Sequence, residues 1–211
     1  MILAGSLEFA LARMQARLSR RPSQGGWAAI EEARTIAPIL DAARETSLGL
    51  LVKGLPPNPD LPDVDRAARL AWSAAVAEAA SWMPAEWMPA IAWCDSVRAG
   101  EGAAAPHPTL LPSLGHPGWR RHWPQQAHRD PALAALTQLF TRHLARFRLA
   151  APHEAAGLRR DFHDRLFAII RHHPMQPVAA FAWLAIAALD LERLRGELAR
   201  RIAFPGARIA A

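Results

Sequence analysis

Apolar side chains recur at intervals of three and four residues along most of this chain, a spacing that keeps them on one side of an α-helix turn after turn. Leu7, Leu11, Met14 and Leu18 open the pattern, and Ile30, Ala33, Ala37, Leu40 and Ala43 continue it. Ala67, Leu70, Ala74 and Ala77 repeat it, followed by Leu133, Leu136, Phe140, Leu144 and Phe147, then by Leu158, Phe162, Leu166 and Ile169. Composition points the same way: Tyr is absent, Val is rare, and the strong helix formers Ala, Leu and Arg dominate. A sheet would lack the β-branched and aromatic residues it packs with. An Ala/Arg bias with one lysine, Lys53, is also what a GC-rich genome produces, but base composition does not space residues. The expected fold is all-α, a bundle of about seven to nine helices with a proline-rich connection in the middle.

Breakers divide the pattern. Ser6 can cap a first helix that Pro22, Gly25 and Gly26 terminate. A second starts near Trp27 and runs to Lys53, and Pro38 inside it is expected to kink or split it. Residues Gly54 to Pro62 form a linker, after which Asp63 or Asp65 begins another helix. The duplicated Trp82-Met83-Pro84-Ala85 and Trp87-Met88-Pro89-Ala90 has a five-residue period that suits neither helix nor strand, and reads as a bent entry into a helix ending near Arg98. Trp72, Trp82, Trp87 and Trp93 are read as core, with a peptide-binding surface as the alternative. Pro106, Pro108, Pro112, Pro117 and Pro124 make residues 99–130 the least regular stretch. The expected organisation is an N-terminal helical half (1–98), a Pro/His-rich connection (99–130) and a C-terminal helical half (131–211), with the halves able to pack as one domain.

The last helix, about Val178 to Phe204, changes character along its length. Its first half is apolar all round, as a helix surrounded by others must be. Its second half narrows to a stripe of Leu184, Leu191, Leu194, Leu198 and Ile202, with Asp190, Glu192, Arg193, Arg195, Glu197, Arg200 and Arg201 on the remaining positions. Glu197 and Arg201 stand in the favourable i,i+4 order. The uncharged run Val178–Leu189 is twelve residues long, against about 20 for a spanning helix. Met1 to Phe9 has no basic segment of the secretory kind.

Charge is unevenly placed. Residues 1–100 carry 10 basic and 11 acidic side chains and residues 101–211 carry 15 and 8, so the halves stand at −1 and +7. Such asymmetry suits an acidic partner, an anionic membrane surface or nucleic acid, and it also describes a solvated arginine-rich helix face. Trp119-Arg120-Arg121-His122-Trp123 interleaves cations with aromatics and is the candidate nucleic-acid site, stacking bases on Trp119 and Trp123 while Arg120 and Arg121 meet phosphates.

The chain carries no catalytic or metal signature of the known spacings. His107, His116, His122 and His128 fall at irregular gaps, His163 and His172 lie nine apart, and neither H-E-x-x-H nor C-x-x-C occurs. The lone Cys94 sits in apolar Ala92-Trp93-Cys94-Asp95 with an acid beside it, a setting that raises a thiol pKa. It excludes an intramolecular disulfide framework and fits a reducing compartment. No G-x-S-x-G elbow or phosphate-binding G-x-x-x-x-G-K-[ST] loop is present. The acid pairs Glu31-Glu32 and Asp161/Asp164 stand near arginines and read as solvated ion pairs. The expectation is a protein with no catalytic residues, cofactor or metal.

Three segments carry a resemblance. Phe9-Ala10-Leu11-Ala12-Arg13-Met14-Gln15-Ala16-Arg17 looks like a Tyr/Phe-x-x-Ala-Arg-x-x-Ala opening helix. Trp93-Cys94-Asp95-Ser96-Val97-Arg98 is similar to an aromatic-x-Asp-x-x-Asn-Leu segment, without its Asn. Ala182-Trp183-Leu184 through Leu191-Glu192-Arg193-Leu194-Arg195 resembles a Tyr-Leu…Glu-x-x-x-Leu-Arg pattern. In this order they resemble the C-type central-stalk subunits of V/A-type ATPases, the family of the eukaryotic d subunit. The resemblance implies an all-helical, non-catalytic protein on the cytoplasmic side of a membrane complex, serving ion or proton transport by seating the rotor shaft on the membrane ring. It also implies that residues 99–130 stand in place of a domain, since family members have three. Arg193, Arg195 and Arg200 are the candidate partner contacts. Charge reversal at Arg193 and Arg195 is expected to leave the fold intact.

Overall fold

The computed structural model describes residues 4–96, 116–151 and 153–205, and every regular element among them is helical. Nine α-helices occur among these residues: α1 Ala4–Ser19, α2 Gln24–Glu32, α3 Ile36–Arg44, α4 Gly49–Lys53, α5 Leu61–Ala80, α6 Met88–Ser96, α7 Pro131–Leu149, α8 Ala155–His172 and α9 Pro177–Ala203. Three short 3₁₀ turns, Ala85–Trp87, Pro117–His122 and Gln125–Arg129, complete the set. The all-α expectation holds. None of the helices in the described residues is long and apolar enough to cross a membrane.

Local chemistry sets the boundaries. The stretch expected as one helix from Trp27 to Lys53 is three. α2 stops at Glu32 and the chain re-enters helix at Ile36, so that Pro38 falls in the first turn of α3, where its missing N–H breaks no helical bond. α5 starts earlier than Asp63. The Asp60 carboxylate accepts from the Asp63 N–H at 2.7 Å, and Asp63 accepts in return from the Asp60 N–H at 3.3 Å, a reciprocal cap that initiates the helix at Leu61. Asp130 caps α7 by accepting from the N–H groups of Ala132 and Leu133, with Pro131 in the first turn. The Trp-Met-Pro-Ala duplication straddles the turn Ala85–Trp87, and Pro89 lies in the first turn of α6. The helix expected to end near Arg98 is described to Ser96; Arg98 and residues 99–115 lie outside the described residues.

The chain forms two compact units, one of residues 1–14 and 75–189, the other of residues 15–74 and 190–211. They cut across the sequential halves 1–98 and 131–211, because α1, α5 and α9 each contribute one end to each unit. The first unit is built around the apolar half of α9, where Val178 to Ile186 are all buried. Trp82 packs on Trp183 with centroids 4.9 Å apart, Trp87 on Phe181 at 5.5 Å, and Trp119 edge-on to Phe181 at 4.8 Å. α7 and α8 pack as an antiparallel hairpin, Phe140 against Phe162 near the middle and Phe147 near Arg159 toward its end. In the second unit Trp27, Ile30, Ile39, Leu40, Leu51, Val64 and Trp72 are buried, as are Leu191, Leu194 and Leu198 of α9. Each such side chain contributes about 1.5–3 kcal/mol by leaving water.

Candidate functional site

The arginines of α9 bond within the chain. Arg193 gives Nε and Nη2 to one oxygen of Glu31 at 3.0 and 2.5 Å and lies over the Trp27 ring, 4.1 Å from its centroid. Arg195 reaches Asp65 at 2.5 Å with its side chain only 17% exposed. Arg200 bonds Glu197 at 2.6 Å and the Glu31 carbonyl at 3.4 Å. Arg201, expected on the solvated side, is buried; it donates to the carbonyls of Ile30, Glu31 and Ala33 and to Glu197. Those carbonyls close the C-terminus of α2, so Arg201 acts as its cap. Asp190 is buried as well, held by Arg21 through two bonds of 2.5 and 2.8 Å. The charged positions of α9 therefore join it to the turn after α1, to α2 and to α5 within the second unit.

The Trp119–Trp123 segment folds inward. Both indoles are buried, 4.9 Å apart and edge-to-face, in the aromatic core of the first unit. Base stacking needs an accessible ring face, so this segment offers no stacking platform. Arg120 and Arg121 are exposed, and the Arg120 guanidinium lies 5.5 Å from the Trp123 ring centroid. A Cβ on Gly118 would come within 3.0 Å of the Trp93 ring, so glycine there permits the close approach of this turn to α6.

The histidines are distributed among separate packing roles. His116 accepts from the Gly118 N–H at 3.0 Å, and His122 stacks on Trp93 at 4.6 Å. His172 meets the Ala168 carbonyl at 2.7 Å; His107 lies outside the described residues. Among the described residues no three His, Cys, Asp or Glu side chains are placed to share a metal ion. Cys94 donates to the Ala90 carbonyl at 3.3 Å, and burial, reinforced by Asp95, pushes its thiol pKa far up. Of the acid pairs, Glu31 is engaged by Arg193, and Asp161 bonds Arg165 at 3.1 Å.

Among the described residues of the first unit, His143 is the buried charged or polar side chain. It lies parallel to Phe162 with centroids 4.0 Å apart. Burial, assisted by Arg146, opposed by Asp161 and assisted again by Arg159, lowers the imidazole pKa to about 4. The ring is neutral near pH 7.

One group of exposed apolar and basic side chains lies at the end of the α7–α8 hairpin, a place that no motif of the sequence singles out. Leu149 is 89% exposed and Phe147 is 37% exposed, with Arg159 5.7 Å from the Phe147 ring centroid. An open groove of about 450 Å³ lies here, lined by Arg146, Leu149, Ala150, Glu154, Gly157 and Leu158. Residues 131–172 carry seven arginines against three carboxylates. The helical period gives one weaker signal. Leu149 lies nine residues beyond Phe140, which sets it about 180° from the buried stripe of α7 at 100° per residue. Phe147 belongs to that stripe and is exposed because it lies in the last turn of α7.

These contacts define an all-helical fold in which charged side chains of α9 pair within the chain and in which exposed apolar groups occur at several places, Leu149 of the basic hairpin being the most exposed. No family model, curated protein sequence or solved structure matches the chain.

Proposed function

We propose that the chain is a non-catalytic helical subunit or adaptor, and that its specific role is the one implied by the resemblance to the d-subunit-like central-stalk family of V/A-type ATPases: coupling a rotor shaft to a membrane ring from the cytoplasmic side. The observation that carries the reading is where the charged groups of the described residues go. Arginines and carboxylates pair between helices, as in Arg21–Asp190, Arg193–Glu31 and Arg195–Asp65. An enzyme site instead gathers groups of shifted pKa around an accessible cleft. Among the described residues, the groups whose pKa is clearly shifted, His143 and Cys94, lie in separate buried surroundings. The engagement of Arg193, Arg195 and Arg200 inside the second unit moves the proposed partner surface from α9 to the basic hairpin, with Phe147 and Leu149 exposed on it.

The test is co-purification of the full chain with the rotor-shaft and membrane-ring proteins of a V/A-type ATPase from the same genome. Capture of both, weakened by Leu149→Ser, is the expected result. Capture of neither overturns the rotor role.

A further inference from the structure

We infer that the groove between the end of α7 and the start of α8 docks an acidic protein segment that inserts one large apolar side chain. The inference rests on the adaptor reading and names the chemistry of its partner.

Three observations bear on the occupant. The groove is apolar on its walls, through Leu149, Ala150 and Leu158, and Leu149 is almost wholly in water. Gly157 is exposed in its lining, and a Cβ built there meets nothing within 4 Å, so the space beside it is open. The chain's own packing therefore gives no reason for glycine in this helix, where alanine is the better helix former, whereas an incoming side chain does. The charges at the groove are unequal. Glu154 is turned to the backbone, accepting from the Ala151 N–H at 3.0 Å. Arg146 is well exposed and reaches Asp161 only at 3.8 Å, while Asp161 is held closer by Arg165 at 3.1 Å. An accessible guanidinium beside an open, partly apolar groove, on a hairpin with an excess of four positive charges, complements a carboxylate next to a Leu- or Phe-like side chain. A lipid surface offers negative charge too, but membrane-surface helices carry a long apolar stripe, whereas the apolar lining here is short, Leu149, Ala150 and Leu158 beside Arg146.

The full-length chain is immobilised and panned against a phage-displayed library of random linear peptides; the enriched peptide is then labelled with fluorescein and titrated by anisotropy. Enriched peptides should be acidic and share one large apolar residue, with binding that weakens as salt rises. Gly157→Leu, which fills the open space of the groove, and Arg146→Glu should each weaken binding by about tenfold or more. Gly157→Ala should keep or raise the thermal midpoint while still weakening binding, separating loss of that space from loss of the fold. Arg171→Glu, on the same hairpin but about 20 Å along α8 from the groove, should leave affinity unchanged. Failure to enrich any peptide, enrichment of neutral or basic ones, or indifference to Gly157→Leu would overturn the inference. So would Leu149-dependent binding to phosphatidylserine vesicles in place of peptides. Failure to capture the ATPase proteins, in contrast, removes the rotor role and leaves the peptide result standing.

Discussion

The two compact units draw on one helix and use it differently. In the first, α9 contributes Val178 to Leu189, and cohesion comes from apolar contact: Trp82 packs on Trp183, Trp87 and Trp119 pack on Phe181, and His143 is kept neutral against Phe162. In the second, α9 contributes residues from Asp190 onward; leucines still fill the interior, but they are bordered by Arg21–Asp190, Arg193–Glu31, Arg195–Asp65 and the Arg201 cap. Apolar contact is non-directional and tolerates adjustment, whereas ion pairs and carbonyl caps specify which helix meets which and at what register. The first unit is thus a packing problem. The second is also an addressing problem.

That contrast can be broken most severely at Leu184, fully buried in the first unit. Leu184→Asp puts an unpaired carboxylate into the aromatic core and should cost about 4 kcal/mol or more, visible as loss of the cooperative urea transition followed by circular dichroism. In the second unit Asp190→Ala leaves Arg21 without its main counter-charge and should cost about 3 kcal/mol. An Arg21→Met/Asp190→Leu double variant should regain most of that stability in the same measurement, because an apolar pair needs no counter-charge; a double variant as unstable as the single one would show that the pair is not what joins these helices.

The first unit carries a pH response of its own at His143. The folded pKa of His143 lies below its unfolded value, so the unfolded chain binds more protons between them. Stability from this group is complete above about pH 6.5 and falls as pH drops toward 4, by about 2–3 kcal/mol. His143→Phe should flatten that part of the thermal midpoint profile; an unchanged slope would locate the pH dependence elsewhere. The smallest effect belongs to Arg193→Glu with Arg195→Glu. These pairs are partly exposed, so solvent screening limits the loss to about 2 kcal/mol, but it should exceed the near-zero change of a solvated helix face, and Glu31→Arg with Asp65→Arg should partly restore the midpoint.

Much of the architecture was legible in the residues. Periodicity and the lack of strand formers imply an all-α chain, Pro38 implies the division of the second helix, and the uncharged run Val178–Leu189 implies a buried half of α9. The tryptophans read as core are core at Trp72, Trp82 and Trp87. The candidate sites were less legible. Trp119 and Trp123 looked like a stacking platform because a sequence shows which residues alternate, and it does not show which way a 3₁₀ turn faces. Arg193 and Arg195 read as contacts for a partner because their carboxylates lie on other helices, 130 residues or more away in the chain, whereas Arg200 bonds Glu197 three residues away and the Glu31 carbonyl.

By itself, the sequence determined what is local: helix formation, caps, breaks and the apolar face of each helix, all set by neighbours within a turn or two. Only the tertiary structure decided which arginines serve as internal clamps and which apolar groups stay in water. Those outcomes depend on long-range pairing, in which a guanidinium is exposed or engaged according to whether a carboxylate from a distant helix comes within a few ångströms of it.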